Sequence, residues 1–129
     1  MERRLYFVIG DVVSNTGVGA AVALAVTLFV DESWPMPLAM VAGMVASDVV
    51  ALPAAVGLSI LFGAMEVMLP VMLSGILAGM VAGMRAASGP VPLGSAAALG
   101  AAIGLLALVA TYGLNGYVQA QHRREEARR

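Results

Sequence analysis

The chain has 129 residues, is 60% hydrophobic and only 12% charged, and carries a net charge of −1 with a mean hydropathy of +0.92. A soluble domain averages about 25% charged residues, so this chain has too few to build a water-facing surface, and its balance gives no electrostatic footprint for nucleic acid. It contains no cysteine, which excludes disulfides, thiolate metal sites and iron–sulfur ligation.

The composition therefore predicts a membrane protein, and the elements follow in chain order. A helix crossing hydrocarbon needs about 20 apolar residues, and the first such stretch runs from Leu5 to Val30. Met1-Glu2-Arg3-Arg4 and Ala21-Val22-Ala23 resemble the two ends of a signal peptide. Asp11, Ser14, Asn15 and Thr16 interrupt the apolar region such a signal needs, so the segment reads as a first membrane helix. Asp31-Glu32-Ser33-Trp34-Pro35 is an acidic loop with an interfacial tryptophan and a proline stop. Met36 to Met84 is too long for one crossing and suits two, with the turn expected near Gly57 to Gly63. A re-entrant middle segment between two true spans is the competing reading. Arg85-Ala86-Ala87-Ser88-Gly89-Pro90-Val91-Pro92 makes the next break, and the last span, Leu93 to about Tyr117, closes with Tyr112 and Tyr117 as belt residues.

The expected fold is thus all-α: a polytopic bundle of about four transmembrane helices with short loops over residues 1–118, with spans near 5–30, 36–57, 63–85 and 93–117. A charged cytoplasmic tail, 119–129, follows. Arg3 and Arg4 precede the first span, and Arg123, Arg124, Arg128 and Arg129 follow the last. Arginine-rich flanks favour the cytoplasm, so both termini are expected there. All seven basic residues are arginine, and alanine, glycine and valine dominate; that bias suggests a high-GC bacterial gene and a multi-pass protein of the bacterial inner membrane.

Two short patterns repeat. Met-Val-Ala-Gly-Met occurs at Met40–Met44 and at Met80–Met84, and an acid-Val-spacer-Leu-Pro pattern occurs at Asp48–Pro53 and Glu66–Pro70. Their order is reversed between the two helices, so in an antiparallel pair like would face like. Each proline lacks an N–H and frees the carbonyl four residues earlier, placing a bare carbonyl at or beside each acid.

An ionisable side chain in hydrocarbon is costly and marks a partner or a job. Asp11, Asp48 and Glu66 are such residues, with Asn15 one turn beyond Asp11 on the same face. Glu66 lies near the inner end of the third span, and Tyr112 and Asn115 of the last span lie at a similar depth. Carboxylate, amide and carbonyl oxygens suit a hard cation, and a lone carboxylate suits a proton relay. Asp11, Asn15, Asp48 and Glu66 are therefore the candidate ion- or proton-binding residues. The structural alternative is that Asp11 simply bonds Asn15 and that Glu66 sits at the interface. Methionines four apart, Met40 with Met44 and Met80 with Met84, offer thioethers to a soft ion, although methionine also serves as apolar filler. A metal cation is the one cofactor these side chains suggest. The Met-x-x-x-Met spacing resembles the methionine pair of eukaryotic copper-uptake channels over five residues, without their three-span plan or Met-rich ectodomain.

Gly75, Gly79 and Gly83 form a helix-packing stripe, and Gly94, Ala98, Ala102, Gly100, Gly104, Gly17 and Ala21 add further small faces. These predict close helix approach and a homo-oligomer or a place in a larger membrane complex. In size and span number the chain resembles small multidrug-resistance exporters, which use an embedded carboxylate in helix one. Asp11 takes a comparable place, but Gly10-Asp11-Val12-Val13-Ser14-Asn15-Thr16-Gly17 departs from their motif. The fluoride-channel family shares the size, and its motifs are missing here. No nucleophile–base pair, phosphate loop or zinc-ligand spacing is present, so an enzyme is not expected. The expected function is a small integral membrane transporter or channel for a small cation, metal or proton-coupled. The alternative is a non-catalytic membrane subunit that scaffolds a larger bioenergetic or transport complex. Membrane lipid is the expected surrounding partner.

Overall fold

The computed structural model describes the backbone of residues 2–62 and 64–129 and the side chains of residues 5–61 and 68–129. Four helices are present among these residues: α1 (Glu2–Phe29), α2 (Met36–Phe62), α3 (Ala64–Ser88) and α4 (Leu93–Arg128). All four are long and apolar enough to cross a membrane. At ~1.5 Å per residue, α4 is about 54 Å long, far more than a ~30 Å hydrocarbon layer requires. Its end, from Gln119 on, carries the charged tail as a continuation of the same helix.

The turn expected within Gly57–Gly63 falls at the end of that window, since α2 runs on through Gly57 to Phe62 and α3 begins at Ala64. The Ser59 hydroxyl donates to the Val56 carbonyl at 2.7 Å, so the one polar side chain of that stretch is satisfied inside the helix. Open space surrounds Gly57, and nothing tertiary forces a bend. Pro53 and Pro70 both lie within helices, so neither terminates its span. They face differently: Pro53 is exposed and Pro70 buried, so the two proline segments do not mirror each other across the α2–α3 pair.

The connections are short. After α1, the Val30 N–H still bonds the Val26 carbonyl at 3.0 Å. The Asp31 carboxylate then accepts the Ser33 N–H at 2.9 Å and the Ser33 hydroxyl. The Ser33 hydroxyl, then its N–H, hold the Asp31 carboxyl below its ordinary value. Trp34 is half-buried and packs on the core, anchoring the loop before the Ala39 N–H bonds the Pro35 carbonyl at 2.9 Å and begins α2. Between α3 and α4, the Ser95 hydroxyl and the Ala96 N–H both donate to the Pro92 carbonyl at 3.0 Å.

Helices α1 and α3 form the short diagonal of the bundle. Each touches the other three helices, whereas α2 and α4 share no contact among the described residues. The two closest pairs, α1 with α4 and α2 with α3, cross through glycine in the same way. A Cβ on Gly19 would strike the Gly100 carbonyl oxygen, and one on Gly100 would strike that of Gly19; Gly104 lies as tightly against the Asn15 carbonyl. In the second pair, Gly43 and Gly79 each lie against the other's carbonyl oxygen and Gly83 lies against the Ala39 carbonyl. Asn15, Gly19 and Ala23 facing Gly100 and Gly104 thus correspond to Ala39, Gly43 and Ser47 facing Gly79 and Gly83. The glycines of the two Met-Val-Ala-Gly-Met segments are part of this crossing.

Such crossings need side chains no larger than hydrogen at the contact, because backbone meets backbone. The stripe of Gly75, Gly79 and Gly83 is used entirely within the chain: Gly75 meets Ala51, Gly79 meets Gly43 and Ser47, and Gly83 meets Ala39. The core around these crossings is built from small residues, among them Val22, Ala23, Val26, Ala51, Val71 and Ala78. The outer surface is apolar, with Leu28, Val49, Ile60, Leu69 and Leu106 all exposed.

Candidate functional site

The polar centre of the bundle is built on the α1 sequence Asp11–Thr16. Asn15 is fully buried, held where α4 comes closest because Gly104 rests against its backbone carbonyl. Its amide nitrogen donates to the Asp11 carbonyl at 2.8 Å, one turn back. Its amide oxygen accepts the Ser74 hydroxyl from α3 at 2.5 Å. That hydroxyl also lies 2.7 Å from the Pro70 carbonyl and 3.4 Å from that of Gly104. A hydroxyl has one proton to donate, so these three acceptors compete for it. The Asp11 carboxylate accepts the Tyr112 hydroxyl from α4. Two sets of bonds therefore meet at the residue Asp11: its carboxylate with Tyr112 of α4, and its backbone carbonyl, through Asn15, with Ser74 of α3.

Asp11 and Tyr112 stand at the wall of an open groove of about 750 Å³ between α1, α3 and α4. Phe7, Leu69, Leu73 and Leu114 give it mostly apolar sides, and Asn115 and Thr111 add polar groups from α4. The Thr111 hydroxyl is engaged with the Ala107 carbonyl at 2.7 Å. Asp11 is half-buried there, so one side of the carboxylate is sheltered and the other can meet a ligand. Beside these bonds, Ser14 is buried and its hydroxyl has no hydrogen-bond partner among the described residues, leaving one unmet polar group next to Asn15.

The other sequence candidates do not join this site. Asp48 is exposed on α2 and makes no hydrogen bond or ion pair among the described residues. Its neighbour Ser47 is the buried one, donating to the Met44 carbonyl at 2.5 Å and packing on Gly79. No α2 residue lines the groove among the described residues. Because Val18 and Val22 share the level of Ala51 at Gly75, Asp11 and Asp48 lie roughly 15–20 Å apart along the bundle axis at ~1.5 Å per residue. Glu66 lies outside the residues whose side chains the structure describes. Met40, Met44, Met80 and Met84 are half-buried and flank the glycine crossing of α2 and α3. No group of three His, Cys, Asp or Glu side chains converges among the described residues.

Sequence reasoning missed Ser74, Ser14 and the part played by Pro70. Ser74 follows Pro70 by four residues, the spacing at which a hydroxyl reaches back to a carbonyl in the preceding turn; that local signal was available. Its cross-helix bond to Asn15 was not, since it depends on how α1 and α3 pack. Comparison of the chain with known protein families, with curated proteins and with solved structures finds no match.

Proposed function

We propose that the protein is a small integral membrane transporter or channel for a cation, in which Asp11 is the charge-bearing group. The observation that carries the reading is the placement of Asp11. It is half-buried at the wall of an apolar groove, bonded to Tyr112, and tied through Asn15 to Ser74. One carboxylate on α1 is thus met by a phenol from α4 beside a groove that α3 also lines, and the Asp11 backbone carbonyl, through Asn15, ties the same turn of α1 to Ser74 of α3.

Four long apolar helices and an apolar exterior support insertion in a membrane. The arginines beyond both ends of the bundle favour cytoplasmic termini, which puts the Asp11 groove in the cytoplasmic half. A hard divalent ion such as calcium takes about six to eight oxygen ligands, whereas Asp11 brings one carboxylate, a phenol and nearby amide and carbonyl oxygens. That set suits proton exchange, or a cation exchanged for a proton, better than tight metal binding. The multi-pass inner membrane of a bacterium is the location this reading expects, and a homo-oligomer would widen the narrow path a single bundle offers.

The test is proton flux into vesicles containing the purified protein and an entrapped pH dye, driven by a potassium diffusion potential. Asp11→Asn should retain at most a tenth of the wild-type rate, and Tyr112→Phe should slow it several-fold. Asp48→Asn should leave it unchanged. Wild-type flux in Asp11→Asn would remove Asp11 from the mechanism.

The exposure of Asp48 favours a second reading. A non-catalytic subunit that scaffolds a larger membrane complex would present such a carboxylate to a partner.

A further inference from the structure

We propose that the outward face of α2 docks a transmembrane helix of another protein, and that this helix carries a lysine or arginine near its midpoint to pair with Asp48. The inference rests on the membrane reading above and is independent of the Asp11 site.

Asp48 is near the middle of the 27-residue α2, and so near the middle of the layer that this helix would span. It is exposed and unpaired among the described residues. Around it, Val41, Val45, Leu52 and Val56 are exposed at spacings of three and four. They form a single helical stripe of the kind that seats another helix. Because α2 touches α1 and α3 but not α4, nothing among the described residues covers this stripe.

Charge decides what covers it. A carboxylate at mid-membrane facing lipid is among the most costly placements a side chain can have, and it is retained when another charge or a polar cavity meets it. The chain has no cation to offer at this depth. Arg3 and Arg4 lie at one end of α1, Arg85 at the far end of α3, and the remaining arginines in the tail. A second copy in the same orientation would therefore bring Asp48 against apolar residues or against its own counterpart. A different chain with a central lysine or arginine neutralises it and fills the valine and leucine stripe together. The polar faces of such a helix would lie away from α2.

The experiment uses the full chain in phosphatidylcholine vesicles, labelled with a donor dye through Ala127→Cys, the chain having no other cysteine. Acceptor-labelled synthetic helices of leucine and alanine carry at their midpoint either lysine or leucine. Energy transfer should show the lysine helix associating at least tenfold more tightly than the leucine helix. Asp48→Asn should remove most of that preference while the helical content stays unchanged. A double variant, Asp48→Leu with Val45→Asp, moves the carboxylate one turn along the same exposed stripe. It should restore the preference for a helix whose lysine is shifted by one turn.

Equal association of both helices with the wild-type protein would overturn the proposal. So would strong energy transfer between two labelled copies of the protein that is lost in Asp48→Asn, since the occupant would then be a second copy. Loss of proton flux in Asp11→Asn, with no lysine preference here, would leave the Asp11 site standing and refute only the docking face.

Discussion

At the scale of single residues, the strongest determinant in the bundle is a buried polar pair on two different helices. Asn15 and Ser74 are both fully buried, and each satisfies the other where no water is expected. Cross-helix hydrogen bonds in membranes are worth about 0.6 kcal/mol on average and up to ~1.7. Ser74→Ala removes the donor to the Asn15 amide oxygen and leaves that oxygen buried and unmet. It should destabilise the protein by about 1 kcal/mol, read as a shift in the midpoint of reversible unfolding in mixed micelles. Ser74→Thr keeps the hydroxyl and should recover much of the loss if its extra methyl is accommodated. The chemistry of Asp11 lies at the same scale. Its carboxylate is met by a phenol from another helix, so the state of one side chain bears directly on the contact between α1 and α4.

At the scale of elements, the helices are held by backbone approach more than by large side chains. Val and Ala dominate the buried residues, and the tightest contacts are between glycine backbones of paired helices. Two glycines make opposite predictions. Gly79→Ala puts a methyl into the Gly43 carbonyl and within 2.8 Å of the Ser47 side chain, so α2 and α3 must separate. The cost of such overpacking is about 1–3 kcal/mol. Gly57→Ala adds a methyl in open space within a helix. It should be neutral or stabilising by roughly 0.5–1 kcal/mol, the usual difference between alanine and glycine there. Unfolding midpoints of the two variants measured side by side test the crossing; equal effects would argue against it. The same contrast explains why α2 continues through Gly57 and Ser59 and the helices part only after Phe62. Glycine without a positive φ or a close neighbour does not end a helix, and a serine can bond the preceding turn.

At the scale of the whole molecule, the bundle is two glycine-crossed pairs set side by side, with α1 and α3 in contact across the centre. The two pairs run in opposite senses through the layer, since α1 corresponds to α2 and α4 to α3 in the shared crossing. That arrangement leaves two outer helices with different exteriors: α4 borders the groove that holds Asp11, and α2 carries Asp48 on its uncovered face. The proposed topology has a direct check, because the absence of native cysteine allows single cysteines to be placed at will. Glu32→Cys should react with a membrane-impermeant reagent added outside intact cells. Gln121→Cys should react only after the membrane is opened. Labelling of both from outside would reject a four-span protein with cytoplasmic ends.

What the amino-acid order determined by itself is the set of properties that depend on composition and local spacing. A run of apolar residues broken at Asp31–Pro35 and Ser88–Pro92 specifies helices of spanning length, since a chain with so few charges has little alternative to satisfying its backbone internally. The polar face of α1, with Asp11 and Asn15 one turn apart, was equally legible because helical period places them together. Tertiary structure alone decided which carboxylate turns inward. Asp11 and Asp48 are each isolated acids in apolar helices, and nothing in their immediate neighbours says that one meets Tyr112 while the other faces outward. That outcome depends on the rotation of each helix about its axis. The rotations are set by where Gly19, Gly43, Gly79 and Gly100 allow backbones to touch, a property of pairs of helices that no single helix contains.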